Sequence, residues 1–158
     1  MMAARFWVLC FSFFIALPAQ LLLLQPAIAA PVLPIQDSPR YLSRIQVHTA
    51  DELNQLLLRA EKLMDSGKFV VGVDVPVAFV LHGPEAQSLL KVNYQAHKPM
   101  VDLAARLSAF QVVDIKVCRT WMGIHNVEDS QLPPFISTVS LGSAEVLRLL
   151  EKEKYVYF

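Results

Sequence analysis

Apolar positions along this chain switch repeatedly between a helical and an extended period, and the switches set out an alternating order of strands and helices. From residue 49 the period is helical, with Leu53, Leu56, Leu57, Ala60, Leu63 and Met64 on one face. Thr49 and Glu52 have capping-box spacing ahead of that run, and Gly67 stands where a helix-closing glycine is expected. Residues 69–81 are then almost continuously apolar. Within them Val77–Leu81 reads as a strand with no polar face, the pattern of a strand covered on both sides in a parallel sheet. Pro76 suits the first residue of such a strand and not its middle. Residues 69–75 fit either an extra strand or a loop.

His82-Gly83-Pro84-Glu85 turns the chain into a second helix, with Pro84 in its first turn and Glu85 complementing its dipole. Ala86, Leu89 and Leu90 give that helix an apolar face. Residues 94–97 read as a link to a third helix striped by Met100, Leu103, Ala104, Leu107 and Phe110. Residues 112–118 alternate as a strand, with Asp114 and Lys116 on one face and Val113, Ile115 and Val117 on the other. A short helix or turn over 120–125, a break at Leu132-Pro133-Pro134, a strand over 136–140, a helix from Gly142 or Ser143 and a terminal strand over 155–158 complete the order. A short first strand at 44–47 is weakly signalled. This order predicts an α/β fold, three-layer α/β/α, with a mainly parallel sheet of about five strands.

The first 43 residues stand apart. Arg5 precedes an apolar run over 6–17, and Ala27-Ile28-Ala29 has small-x-small form, so residues 1–29 read as a signal peptide cut after Ala29. Leu21 to Leu24 extend the apolar run toward the length of a membrane span, which leaves an uncleaved N-terminal anchor as the alternative. Residues 30–43 carry three prolines and read as an extended arm or linker, and 44–158 as one domain. Cleavage would leave 129 of the 158 residues and remove one arginine, so 13 basic residues would face 14 acidic ones. That balance argues against nucleic acid as a partner.

Cys10 lies in the leader, which makes Cys118 the single cysteine of the predicted mature chain. An unpaired cysteine in an exported protein implies a reactive thiol or intermolecular pairing, and the plain alternative is a small buried side chain. Cys118 ends its strand just before a helix, where a helix N-terminus favours the thiolate and where open α/β sheets place their chemistry. His82 and Gly83 follow the buried strand at the same sheet edge. His82 is placed either to activate the thiol or to close its strand through a backbone hydrogen bond, and Gly83 serves the turn. Arg119 adjoins the cysteine and would either favour the thiolate or point away to solvent. Trp121 and Met122 would line a pocket or fill the core. No Walker loop, GxGxxG, HExxH, CxxC or GxSxG is present, and the four histidines have no metal-ligand spacing, so neither a metal nor another cofactor is implied.

Four segments together resemble the DsrE-like proteins of the DsrE/DsrF sulfur-relay superfamily. They are Val80-Leu81-His82-Gly83-Pro84, Asn93-Tyr94, Ile115-Lys116-Val117-Cys118-Arg119, and the tail from Val139-Ser140-Leu141-Gly142 through Leu150 to Lys154-Tyr155-Val156-Tyr157. The resemblance spans about residues 53–158. It implies a compact α/β/α domain with about five parallel strands, assembled as a homo-oligomeric trimer or hexamer. It also implies that Cys118 carries sulfane sulfur as a persulfide, exchanged with a donor or acceptor protein or a small sulfur compound. Relay members are cytoplasmic, whereas this chain carries a leader that points to the periplasm. Many other members have no established activity, so a non-catalytic oligomeric binding or assembly module is the alternative.

Overall fold

The computed structural model describes residues 39–158. The predicted leader and residues 30–38 of the predicted arm lie outside the described residues. Five strands form one parallel sheet in the order β4-β3-β2-β1-β5: β1 Tyr41–Leu42, β2 Val77–Leu81, β3 Val113–Cys118, β4 Ile136–Val139 and β5 Val156–Tyr157. Helices α1 (Ala50–Asp65), α2 (Tyr94–Ala109), α3 (Arg119–Ile124) and α4 (Gly142–Leu147) connect them, with helices flanking the sheet as the sequence pattern predicts.

The period of two along the strands divides the core into two layers. Val77, Phe79 and Leu81 of β2, with Val113, Ile115 and Val117 of β3, face α1, α2 and α3. Ala78 and Val80 share the opposite cluster with Leu42, Leu149 and Tyr155, packed by Val146 and Leu150 of the α4 region. The fully buried pattern of β2 is thus that of a strand covered on both faces. On β3 the polar face predicted from Asp114 and Lys116 is half-buried, and Lys116 finds one counter-charge on α4 and one on its own strand: its Nζ lies 2.9 Å from Glu145 and 3.3 Å from Asp114.

Several boundaries differ from the sequence expectation. The first strand is Tyr41–Leu42, not 44–47, so two residues near the end of the predicted arm are a sheet strand between β2 and β5. Two residues are too few to show a period. Residues 69–75 form a turn, not a strand. The helix expected after Pro84 is a 3-10 segment, Pro84–Leu89. The link expected at 94–97 is the first turn of α2, kinked at His97 two residues before Pro99, whose missing N–H and ring break the regular ladder. Thr49 does cap α1, accepting the Glu52 amide at 3.2 Å. Glu52 reaches further back than a capping box requires: it accepts the amides of Gln46, Val47 and His48 at 2.8, 2.9 and 2.9 Å. Gly67 follows α1 with φ +69°, as a helix-closing glycine does. Phe110, expected on an apolar stripe, is exposed.

Candidate functional site

Chains leaving the carboxyl ends of β3 and β4 depart to opposite faces of the sheet. After β3 the chain enters α3, whose Trp121 and Met122 join the larger core layer. After β4 it enters α4, which leads to Leu149 on the other face. Adjacent strands that part in this way open a crevice at their carboxyl ends, where open α/β sheets bind ligands. Cys118, paired with Val139, sits at this crevice.

Cys118 closes β3, stands as N-cap of α3, and is 3% exposed. The Gly142 amide at the start of α4 donates to its Sγ at 3.2 Å. Burial works against ionisation and is the largest single influence on the thiol. The amides of Trp121, Gly142 and Thr120, with the Thr120 hydroxyl, outweigh it together and hold the thiol below its ordinary range. The thiolate is therefore favoured mainly by aimed N–H dipoles and not by a neighbouring cation; the Thr120 hydroxyl donates to the Ser140 carbonyl at 3.1 Å and serves the sulfur only when its one proton turns to it.

Arg119 takes no part in this. Its guanidinium pairs with Asp129 at 2.8 Å on the exposed side of α3, beside a shallow cavity of about 460 Å³ formed with Met122, Gly123 and Val127. The outward alternative of the two sequence readings is the one observed. His82 likewise follows the plain reading, with Nδ1 lying 3.3 Å from the Val80 carbonyl. No hydrogen bond joins it to Cys118 among the described residues. The two side chains do share a wall, because a Cβ built on Gly142 would lie 3.0 Å from His82 Cβ and 3.3 Å from Cys118 Cβ. Gly142 is thus the residue whose lack of a side chain lets α4 approach both strand ends.

A second cluster lies behind His82 and was not singled out from sequence. Glu85 is fully buried, and its Oε1 accepts the amides of His82 and Gly83, both at 3.0 Å. Its Oε2 lies 2.8 Å from His48 Nδ1. The His48 and His82 rings meet edge to face, centroids 4.9 Å apart. Gly83 makes the cluster possible, since a Cβ there would fall 2.5 Å from His48 Nδ1 and 2.6 Å from Glu85 Oε2. His48 itself sits at φ +57°, held by the three amides that Glu52 gathers. The sequence signal for Glu85 was available: an acidic residue in the first turn after Gly-Pro can reach back to the amides ahead of the helix. Nothing in the sequence pairs His48 with it across 37 positions. Among the described residues no group of three or more His, Cys, Asp or Glu side chains is placed to hold a metal ion.

No family model matches the chain, and no curated protein does. Among solved structures the fold is similar to that of MTH1491 from Methanobacterium thermoautotrophicum, described as a protein of unknown function. The TM-score is 0.59 at 16% identity, over 77% of this chain and 98% of the other. The likeness extends to the fold alone.

Proposed function

We propose that this chain is an exported DsrE-like protein in which Cys118 carries sulfane sulfur as a persulfide. The observation that carries the proposal is the donor set around Sγ: the Gly142 amide at 3.2 Å, with the thiol held low by the amides of Trp121 and Thr120 against the effect of its burial. The Cys118 thiolate would attack the outer sulfur of a donor persulfide, R–S–SH. A new S–S bond forms at Cys118, the donor's S–S bond breaks, and R–S⁻ leaves with the electron pair and takes up a proton. There is no net oxidation, and an acceptor thiolate removes the sulfur by the same step. The dipoles that favour the thiolate also favour the persulfide anion.

The proposed assembly is a trimer or a hexamer, supported by the four matched sequence segments and by the exposed Tyr157 on the edge strand β5. Export is supported by the residues of the leader. Among the described residues no helix is long and apolar enough to cross a membrane. The second reading is a non-catalytic binding or assembly module, and the 3% exposure of Cys118 favours it.

Intact mass after incubation with glutathione persulfide separates the two. The wild type should gain the mass of one sulfur atom and Cys118→Ser should gain none. A folded wild type that gains nothing supports the binding module.

A further inference from the structure

Three residues stand in a row along the carboxyl edge of the sheet, one beyond each of three adjacent strands. Cys118 closes β3, His82 follows β2, and His48 lies on the connection that leaves β1. Neighbouring strands are about 4.8 Å apart, so the row spans about 10 Å. His82 occupies its middle. It shares the Gly142 wall with Cys118 on one side, and on the other its ring meets the His48 ring edge to face.

Unlike His82, His48 is held by a carboxylate. Glu85 is fully buried and commits Oε1 to the amides of His82 and Gly83. Its Oε2, 2.8 Å from His48 Nδ1, accepts in the same way, so the imidazole proton sits on Nδ1. Nε2 is then the open nitrogen, and among the described residues it has no hydrogen-bond partner. Three further devices hold this one ring in place. Glu52 gathers the amides of residues 46–48, His48 adopts φ +57°, and Gly83 leaves the space beside Nδ1. A left-handed backbone on a non-glycine residue persists only where its surroundings impose it. The His48 side chain is nonetheless 29% exposed, so the ring is held for its open edge and not to fill the core.

We propose that His48 is the general acid and base of sulfur transfer at Cys118, with Glu85 as its positioning residue. The inference rests on the persulfide reading and adds the class of donor: an alkyl persulfide, whose departing thiolate is basic and needs a proton. In-line attack by Cys118 Sγ on the outer sulfur puts the leaving sulfur two S–S lengths away, roughly 4 Å along the row toward His48. As the donor's S–S bond breaks, the electron pair stays on R–S⁻, which takes the proton from His48 Nε2. In the second half of the cycle the acceptor thiol R′–SH gives its proton to Nε2. R′–S⁻ then removes the outer sulfur and restores the Cys118 thiolate. The proton that left with the donor thiol is thus replaced by the acceptor's, and nothing is oxidised. The Glu85 carboxylate orients the ring and offsets its charge while Nε2 is protonated.

Two rates at Cys118 test this. Alkylation by iodoacetamide expels iodide, which needs no proton, whereas sulfur uptake from glutathione persulfide expels an alkyl thiolate, which does. His48→Asn is the sharper variant. Asparagine accepts positive φ, and its amide donates to Glu85 in the place of Nδ1, with no counterpart to Nε2. It should take up sulfur about a hundredfold more slowly than the wild type and be alkylated at the same rate. Glu85→Gln, which leaves a protonated ring without its counter-charge, should show the same split. Equal sulfur uptake by His48→Asn and the wild type overturns the proposal. So does an equal loss in both reactions, which would make His48 a structural support of the thiol. A wild type that is alkylated but takes up no sulfur overturns the persulfide reading itself, and the acid–base role with it.

Discussion

Gly142 donates its backbone N–H to Cys118 Sγ across 24 positions of sequence, and the same glycine leaves room for His82 beside the thiol. A methyl group at this position meets His82 Cβ at 3.0 Å and Cys118 Cβ at 3.3 Å, so one neighbour has to give. Gly142→Ala should therefore lengthen the amide–sulfur contact and move the thiol back toward its ordinary value of 9.0. The alkylation rate of Cys118, followed against pH in the folded protein, should show its inflection displaced upward. The repacking should cost about 1–3 kcal/mol in denaturant unfolding.

Thr120 and Arg119 are adjacent, yet they should behave oppositely. The Thr120 hydroxyl helps to lower the thiol, whereas Arg119 is paired with Asp129 and directed to solvent. Thr120→Val should slow alkylation at neutral pH by about fivefold, the size of one net hydrogen bond to the thiolate. Arg119→Ala should leave the rate unchanged. A slower Arg119→Ala variant would show that a cation, and not the aimed dipoles, sets the thiolate population.

Gly83→Ala should dismantle the His48–Glu85 pair. The added Cβ would lie within 2.8 Å of two His48 ring atoms, and the Gly83 backbone is extended, so crowding and not backbone strain is the cause. The His48 ring signals in NMR should shift, and stability should fall by about 1–3 kcal/mol. An unshifted His48 would mean that the 46–48 segment yields without losing Glu85.

Glu145 should govern part of the acid sensitivity. The Arg148 guanidinium is the main influence on its carboxyl, burial opposes it, and Lys116 assists, leaving it at about 2 against an ordinary 4.5. The folded value is depressed, so its stabilising contribution is complete above about pH 4.5 and is lost as the pH falls toward 2. Chemical denaturation at pH 6, 4 and 3 should show the wild type losing stability across this window. Glu145→Gln should be less stable at pH 6 and flatter below it. Parallel profiles for the two proteins would exclude Glu145 as a source of the acid response.

The sheet was legible wherever apolar period and length were both sufficient. Val77–Leu81 and Val113–Cys118 carry enough alternation or continuous apolarity to announce themselves, and the observed register pairs them over five positions. β1 was misplaced by three residues because two-residue strands carry no period, and their pairing is decided by the neighbours β2 and β5. At the site, the position of Cys118 at a strand end could be read from local pattern. What surrounds its sulfur could not, because Gly142 arrives through a tertiary approach and reads locally only as a helix start. Glu85 and His48 are paired by the fold across two connections, and neither has a sequence neighbour that points to the other. Arg119 misleads for the opposite reason: adjacency in sequence to Cys118 does not survive the change from strand to helix.

The two shortest strands have a consequence for the order in which this domain can be completed. Among the described residues β5 hydrogen-bonds only to β1, with Val156 opposite Tyr41, so residues 156–157 lie against the first described ones. Bringing them together closes a loop that encompasses nearly the whole domain, the kind of distant pairing that forms late. A chain still emerging from its point of synthesis lacks the partner for one side of β1. Until Val156 and Tyr157 have emerged, the sheet lacks its β5 edge and β1 has only one neighbour.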